Sequence, residues 1–170
     1  MKTDRLLSEA EKALIPIFSK IDAQVKQNLK KVLTAFRDQR VGVQHFSSVS
    51  GYGHDDLGRE TLDGVFAQVM QAEAAAVRVQ FVSGTHAIAC ALYGVLRPGD
   101  EMLAVAGAPY DTLEEVIGLR GKNQGSLKDW HIDYRQLELT EQGTIDWSGL
   151  NTAVTSKTRL VLIQRSCGYS

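Results

Sequence analysis

The chain has 170 residues, is 44% hydrophobic and carries a formal net charge of −1, enough length and apolar content for one substantial core. The balanced charge gives no electrostatic case for nucleic acid or an anionic membrane surface as a partner. The two cysteines, Cys90 and Cys167, are far apart and lack metal-ligand spacing, against a zinc site or a disulfide framework; no signal core or membrane-length apolar run is present, so the cytoplasm is the default location.

Residues 3–38 read as helix, because Leu14, Phe18, Ile21, Val25, Leu29 and Phe36 recur at three- and four-residue steps. Pro16 is expected to kink or split it. Lys26, Lys30 and Lys31 belong to a solvated face. Residues 41–50 are short and strand-like. The loop from Gly51 to Arg59 holds three glycines beside Tyr52, His54, Asp55 and Asp56, the composition of an irregular, exposed segment. Adjacent residues rarely ligate one ion, and no second cluster completes a set, so His54, Asp55 and Asp56 do not make a metal site. Asp55 or Asp56 is placed to cap a helix over residues 60–72, with an apolar face of Leu62, Val65, Phe66, Val69 and Met70.

Residues 73–82 form a continuous apolar run of the kind that makes a central parallel strand. The turn Ser83-Gly84-Thr85-His86 follows, then a helix with Ile88, Leu92 and Val95 at helical spacing, stopped by Pro98-Gly99. Cys90 in this helix reads as a small buried apolar side chain. A strand at 101–105 leads into a second loop-to-helix junction, Gly107 to Leu113, with Tyr110 at its tip. A strand or edge strand is expected over 131–139, a short helix from Asp146 to near Val154, and another buried strand over 158–164.

Strands alternating with helices predict an α/β domain with a mostly parallel sheet. Ligands bind such sheets beyond the carboxyl ends of the strands. Both junctions, Ser83 to His86 and Gly107 to Thr112, fall at such ends. A helix that begins at a glycine turn leaves its first amides unpaired at the positive end of its dipole. With the Ser83 and Thr85 hydroxyls these amides suit a phosphate. The plainer alternative is that Ser83 or Thr85 only caps the helix.

Five stretches in order carry a family resemblance: Gly51-Tyr52-Gly53 through Leu62, Gln80 through Ile88, Leu96-Arg97-Pro98-Gly99-Asp100, Gly107 through Leu113, and Gln164 through Ser170. Together they resemble the N-terminal part of the fold type I pyridoxal-phosphate enzymes of cysteine and methionine metabolism. More narrowly, they resemble the methionine gamma-lyase-like proteins often called aluminium resistance proteins. The resemblance implies an N-terminal helical arm over 1–50. Over 51–170 it implies the first part of a three-layer, mostly parallel large domain that binds pyridoxal 5'-phosphate. The amides of Gly84 and Thr85 would hold the cofactor phosphate together with the Ser83 or Thr85 hydroxyl. Tyr110 would stack on the pyridine ring. Tyr52 and Arg59 would reach the phosphate of a neighbouring subunit's cofactor. The implied activity is a lyase acting on a sulfur-containing amino acid, in a homo-oligomer when full-length.

Such enzymes use a lysine that bonds the cofactor covalently and an aspartate against the pyridinium nitrogen. In the family both lie after the strand corresponding to 159–164. Lys122, Lys128 and Lys157 read instead as surface lysines. The expectation is therefore an N-terminal fragment with no catalytic residue of its own, inactive alone or completed by a C-terminal chain. The alternative is a non-catalytic module that binds a partner. A nucleotide-binding domain fits less well, since neither Gly-x-Gly-x-x-Gly nor a P-loop is present.

Overall fold

In a computed structural model, which describes residues 2–49, 52, 56–122 and 124–166, the first element is the helix α1, Lys2–Asp38. It continues through Pro16 as one element rather than splitting there. The proline removes one amide donor from the ladder, and a helix this long keeps the rest. The chain divides into two compact units, Met1–Val79 and Gln80–Ser170; the division read from the sequence falls at 50/51.

In the first unit, residues 41–49 form no strand. A 3₁₀ turn, Val43–Phe46, takes their place. The Gly42 amide donates to His45 Nδ1 at 2.9 Å and the His45 amide to the Gly42 carbonyl at 3.0 Å. Local bonds of this kind outcompete a ladder that has no partner strand. Helix α2, Leu57–Met70, is capped by Asp56, which accepts from the Arg59 amide at 3.0 Å. It ends on Gln71 in the left-handed region, φ 57°. Gln68 of α2 donates to Asp38 of α1 at 2.8 Å. The apolar interior is small, with Ala35 and Val65 its buried members.

The apolar run at 73–82 is not a strand. The Val77 amide donates to Asp63 of α2 at 2.7 Å, and Arg78 Nη1 to the same carboxylate oxygen at 2.6 Å. Val79 and Val82 are more than four-fifths exposed. An apolar run becomes a strand only against a neighbour that completes its ladder, and here the amide goes to a side chain.

The second unit is built on three parallel strands: β1, Glu101–Ala104; β2, Asp133–Gln136; and β3, Thr158–Leu162. Their order is β2-β1-β3, with Leu103 opposite Arg135 on one side and Val161 on the other. Helix α3, Gly84–Val95, precedes the sheet. Helix α4, Asp111–Ile117, connects β1 to β2, and α5, Trp147–Ala153, connects β2 to β3. β1 is buried along its whole length. Successive strand residues point to opposite faces. Met102 accordingly packs among Leu92, Leu96, Leu113 and Ile117 of the α3–α4 side, whereas Leu103 and Val105 meet Ala153 of α5. Each such fully buried side chain contributes about 2 kcal/mol.

Among the described residues β3 is paired on one side and alternates between half-buried and exposed, where the sequence predicts a buried strand. Position decides this: a strand paired on one side cannot reach the burial of β1. Cys90 is exposed, against expectation, because Ile88 and Leu92 face the core and the residue midway between them faces away.

The amino ends of the strands are tied by one ionic knot. Arg135 donates from Nε to Glu101 Oε2 at 2.6 Å and from Nη2 to Oε1 at 2.8 Å, while Thr158 Oγ1 donates to Oε1 at 2.6 Å. Arg135 also bonds the Ala153 carbonyl. The hydrogen bond from Arg135 holds the Glu101 carboxyl below its ordinary range, against the opposing effect of burial.

Candidate functional site

The opposite, carboxyl rim of the sheet gathers the residues that matter. α3 starts at Ser83, whose backbone is extended and whose hydroxyl oxygen accepts from the His86 amide at 3.0 Å. The plainer reading of Ser83 as a cap is therefore part of the answer. Its hydroxyl proton is not used by that bond. The amides of Gly84 and Thr85 have no partner among the described residues, and a Cβ on Gly84 would meet nothing within 4 Å. The start of α3 thus presents open donors at the positive end of a twelve-residue helix.

Tyr110 comes to this point from the loop after β1. That loop turns at Gly107, φ +79°, a conformation glycine adopts without strain. The Gly107 amide donates to the Leu137 carbonyl at 2.9 Å. Tyr110 stands immediately before α4 and its hydroxyl donates to Thr85 Oγ1 at 3.0 Å. Thr112, on the first turn of α4, shares the same Thr85 oxygen at 3.1 Å. The Tyr110 amide donates to the Gln164 side chain at 3.2 Å, which links the end of β3 to the cluster. A cleft of about 390 Å³ lies beside Tyr110, walled by Ile88, Leu113, Leu162 and Gln164. Its lining is mostly apolar with a few polar side chains, the composition of a small-molecule site. Near the end of β2, Tyr134 donates to Gln136 at 2.8 Å. Its hydroxyl pKa is pushed up to about 12, first by burial and then by Glu114 and Glu138.

Four of the six residues proposed from sequence, Ser83, Gly84, Thr85 and Tyr110, belong to this second unit, and Thr85 and Tyr110 touch. Tyr52 and Arg59 belong to the first unit. Tyr52 is exposed. Arg59 lies in the first turn of α2 with Nε 3.4 Å from Asp56 Oδ2. Sequence reasoning gives no role to Thr112 or Gln164. Their signal is available, since each is a polar residue directly after an apolar strand or a turn on the same rim. Lys122, Lys128 and Lys157 are exposed, and Lys157 faces Asp133 at 3.9 Å, at the amino end of the strands. Among the described residues no cluster of three or more His, Cys, Asp or Glu forms a cation cage; His54 and Asp55 lie outside them. No helix among them is long and apolar enough to cross a membrane.

Comparison with known proteins gives this rim a family context. The sequence model of the methionine gamma-lyase family matches residues 3–170. The chain is 47% identical over 163 residues to the uncharacterized protein YnbB of Bacillus subtilis, covering 95% of this chain and 39% of that protein. A solved Bacillus cereus protein aligns with a TM-score of 0.95 at 44% identity, over 100% of this chain and 42% of its own. A carbon–sulfur lyase involved in aluminum resistance from Clostridium novyi NT aligns with a TM-score of 0.88 at 44% identity, over 96% and 40%. A candidate cystathionine beta-lyase involved in aluminum resistance from Listeria monocytogenes gives 0.92 at 47% identity, again over 96% and 40%. The chain spans about two fifths of the length of these relatives. With its family pattern running from residue 3 to residue 170, the chain belongs to the methionine gamma-lyase family.

Proposed function

We propose that this chain is the cofactor-seating part of a pyridoxal 5'-phosphate-dependent carbon–sulfur lyase that acts on a sulfur-containing amino acid, within a fold type I large domain. The observation that carries the reading is the Tyr110–Thr85 hydrogen bond. It sets an aromatic ring against the open start of α3, beside a cleft of small-molecule size. The residues present fit such a group by their chemistry. Open amides and hydroxyls at a helix N-terminus suit a phosphate dianion, and a ring locked by its own hydroxyl offers a flat face to a heterocycle.

In this reading the Gly84 and Thr85 amides, with the Ser83 and Thr85 hydroxyls, bind the phosphate. Tyr110 orients the ring plane, and Thr112 and Gln164 hold Tyr110 and Thr85 in place. Ile88, Leu113 and Leu162 exclude water from the inner wall. When bound, the cofactor supplies an electron sink for charge developing on the amino-acid substrate. The covalent lysine and the aspartate are contributed by residues outside this set, since Lys122, Lys128 and Lys157 are solvent-exposed. In the proposed homo-oligomer, Tyr52 and Arg59 serve a neighbouring subunit's phosphate.

The test uses pyridoxine 5'-phosphate, which lacks the aldehyde and cannot label surface lysines, against pyridoxine. Calorimetric titration is expected to show binding of the phosphorylated compound alone. Thr85→Val is expected to weaken it about tenfold, the scale of one lost hydrogen bond to a charged group. Equal affinity for the two compounds, or no effect of Thr85→Val, overturns the phosphate site. The second reading, a non-catalytic module that binds a partner chain, is favoured by the exposed apolar residues of α1 and predicts no binding of either compound.

A further inference from the structure

We propose that Thr112 directs a proton in the phosphate site: by donating its own hydroxyl proton to Thr85 Oγ1, it commits the Thr85 proton to the bound anion. This rests on the phosphate reading above and deepens it, by fixing which way each hydroxyl of the cluster points and so which ionic form of the ligand the site takes.

Three hydroxyls meet at one oxygen. A threonine hydroxyl has one proton to give and two lone pairs that can each receive one. Thr85 Oγ1 receives the Tyr110 proton at 3.0 Å, so one lone pair is taken. Thr112 Oγ1 lies 3.1 Å from the same atom, and either oxygen of that pair can be the donor. The two polarities differ in what they offer a ligand. If Thr85 donates to Thr112, its only proton is spent inside the cluster, and a lone pair is what an incoming anion meets. If Thr112 donates to Thr85, both Thr85 lone pairs are filled from within. The proton is then the part of that hydroxyl left for a ligand at the start of α3. A doubly ionised phosphate offers strong acceptor oxygens, so it is held by the second arrangement and repelled by the first.

The surroundings of Thr112 suit it to the donor's part. It stands on the first turn of α4, with its amide turned to Asp111 Oδ1 at 2.8 Å. It is exposed and lines a crevice of about 450 Å³ between α3 and α4. Solvent there serves its oxygen while its proton turns inward. Donation from Thr112 to Thr85 and from Thr85 to the anion runs in one direction, so each bond polarises and strengthens the next. Ser83 divides its duties in the same way: its oxygen takes the His86 amide and its proton is left over. Together with the open Gly84 and Thr85 amides, the start of α3 then presents donors to the ligand and no acceptor. Such a set takes an oxyanion that carries no proton of its own.

Calorimetric titration of the full chain with pyridoxine 5'-phosphate tests this through Thr112→Val and Thr112→Ser. Valine keeps the branched shape and loses the hydroxyl, whereas serine keeps the hydroxyl and loses the methyl group. Circular dichroism checks that each variant keeps its fold. Thr112→Val is expected to weaken binding about fivefold, the scale of one hydrogen bond. Thr112→Ser is expected to bind as the unaltered chain does. In a Thr85→Val background, Thr112→Val is expected to have no further effect, because the proton it directs is gone. A packing role for Thr112 would give the reverse order, with serine the weaker variant. Undiminished binding by Thr112→Val overturns the proposal. So does a Thr112→Ser variant as weak as Thr112→Val, or a Thr112→Val effect that persists in full without the Thr85 hydroxyl. Each of these outcomes leaves the phosphate reading standing. An unaltered chain that binds pyridoxine 5'-phosphate no better than pyridoxine overturns that reading, and this proposal with it.

Discussion

The two units of this chain solve the burial problem differently. The second, Gln80–Ser170, has a core of its own, with Met102, Leu103, Leu113, Ile117 and Leu127 fully buried around a three-stranded sheet. The first, Met1–Val79, has a long helix, a short one and, among the described residues, two buried apolar side chains, Ala35 and Val65. One is held together from within. The other is held by local helix bonds, a cap and a few polar ties such as Gln68–Asp38, and its main apolar surface faces outward. The lesson is that strong amphipathic patterning specifies an element without specifying what covers it.

The largest way to break the comparison is to empty the core of one unit. Leu103→Ala is expected to cost about 3 kcal/mol, through lost transfer energy plus the cavity left behind. Phe18→Ala, on a half-exposed face, is expected to leave the stability of the second unit unchanged. Both tryptophans, Trp130 and Trp147, lie in the second unit. Tryptophan fluorescence in a urea titration therefore reads that unit alone, while far-UV circular dichroism is weighted toward α1. The two probes are expected to give non-coincident transitions, and Leu103→Ala to shift the fluorescence midpoint. A single coincident transition shifted equally by both variants would merge the two units into one cooperative body.

A smaller effect comes from the knot at the amino ends of the strands. Glu101 is 6% exposed and its pKa is lowered in the fold, chiefly by the hydrogen bond from Arg135. A carboxylate with a depressed folded pKa stabilises the native state above its unfolded value, here 4.5, and that contribution disappears as pH falls through the folded value. The second unit is therefore expected to lose stability on acidification below about pH 4.5. Glu101→Gln is expected to cost about 2 kcal/mol at neutral pH and to flatten this acid limb. Asp63 in the first unit is depressed in the same direction by Arg78, but its side chain is more open, 20% against 8%, so its variant has the weaker pH signature. Urea midpoints from pH 3 to pH 7 measure both.

What can be read from the sequence follows the range of the physics involved. α1 is legible because its periodicity is local, and so are β1 and the two crossover helices. The run at 73–82 misleads because apolar content predicts burial, whereas a strand is a relation between two segments. Asp63 captures the Val77 amide through a contact fourteen residues away, which no local window contains. Cys90 is exposed although the sequence suggests burial, and its spacing from Ile88 and Leu92 carries the answer. At the rim, the rule that loops after parallel strands share one end of the sheet places Tyr110 after β1, but it reaches the Ser83 turn only through a strand over 73–82 that does not form, although the turn and Tyr110 do meet. It does not name the atom that joins them, Thr85 Oγ1, or the support from Gln164, because side-chain reach depends on helix rotation that sequence does not state.

The smallest effect separates the two duties read into the opening of α3. Ser83→Ala removes the oxygen that accepts from the His86 amide and is expected to cost about 1 kcal/mol, the worth of a helix cap. The loss is expected in the second unit's fluorescence transition, with the α1-weighted signal unmoved. Ser83→Asp keeps a cap acceptor and adds a negative charge beside the start of the helix, where the dipole favours it. Its stability is expected to match or exceed that of the unaltered chain. Its affinity for pyridoxine 5'-phosphate is expected to fall, because a carboxylate then occupies the ground proposed for the phosphate and repels it. If Ser83 were a cap and nothing more, the Ser83→Asp variant would be restored in both measurements; stability kept with phosphate binding lost is the signature of a residue that does both.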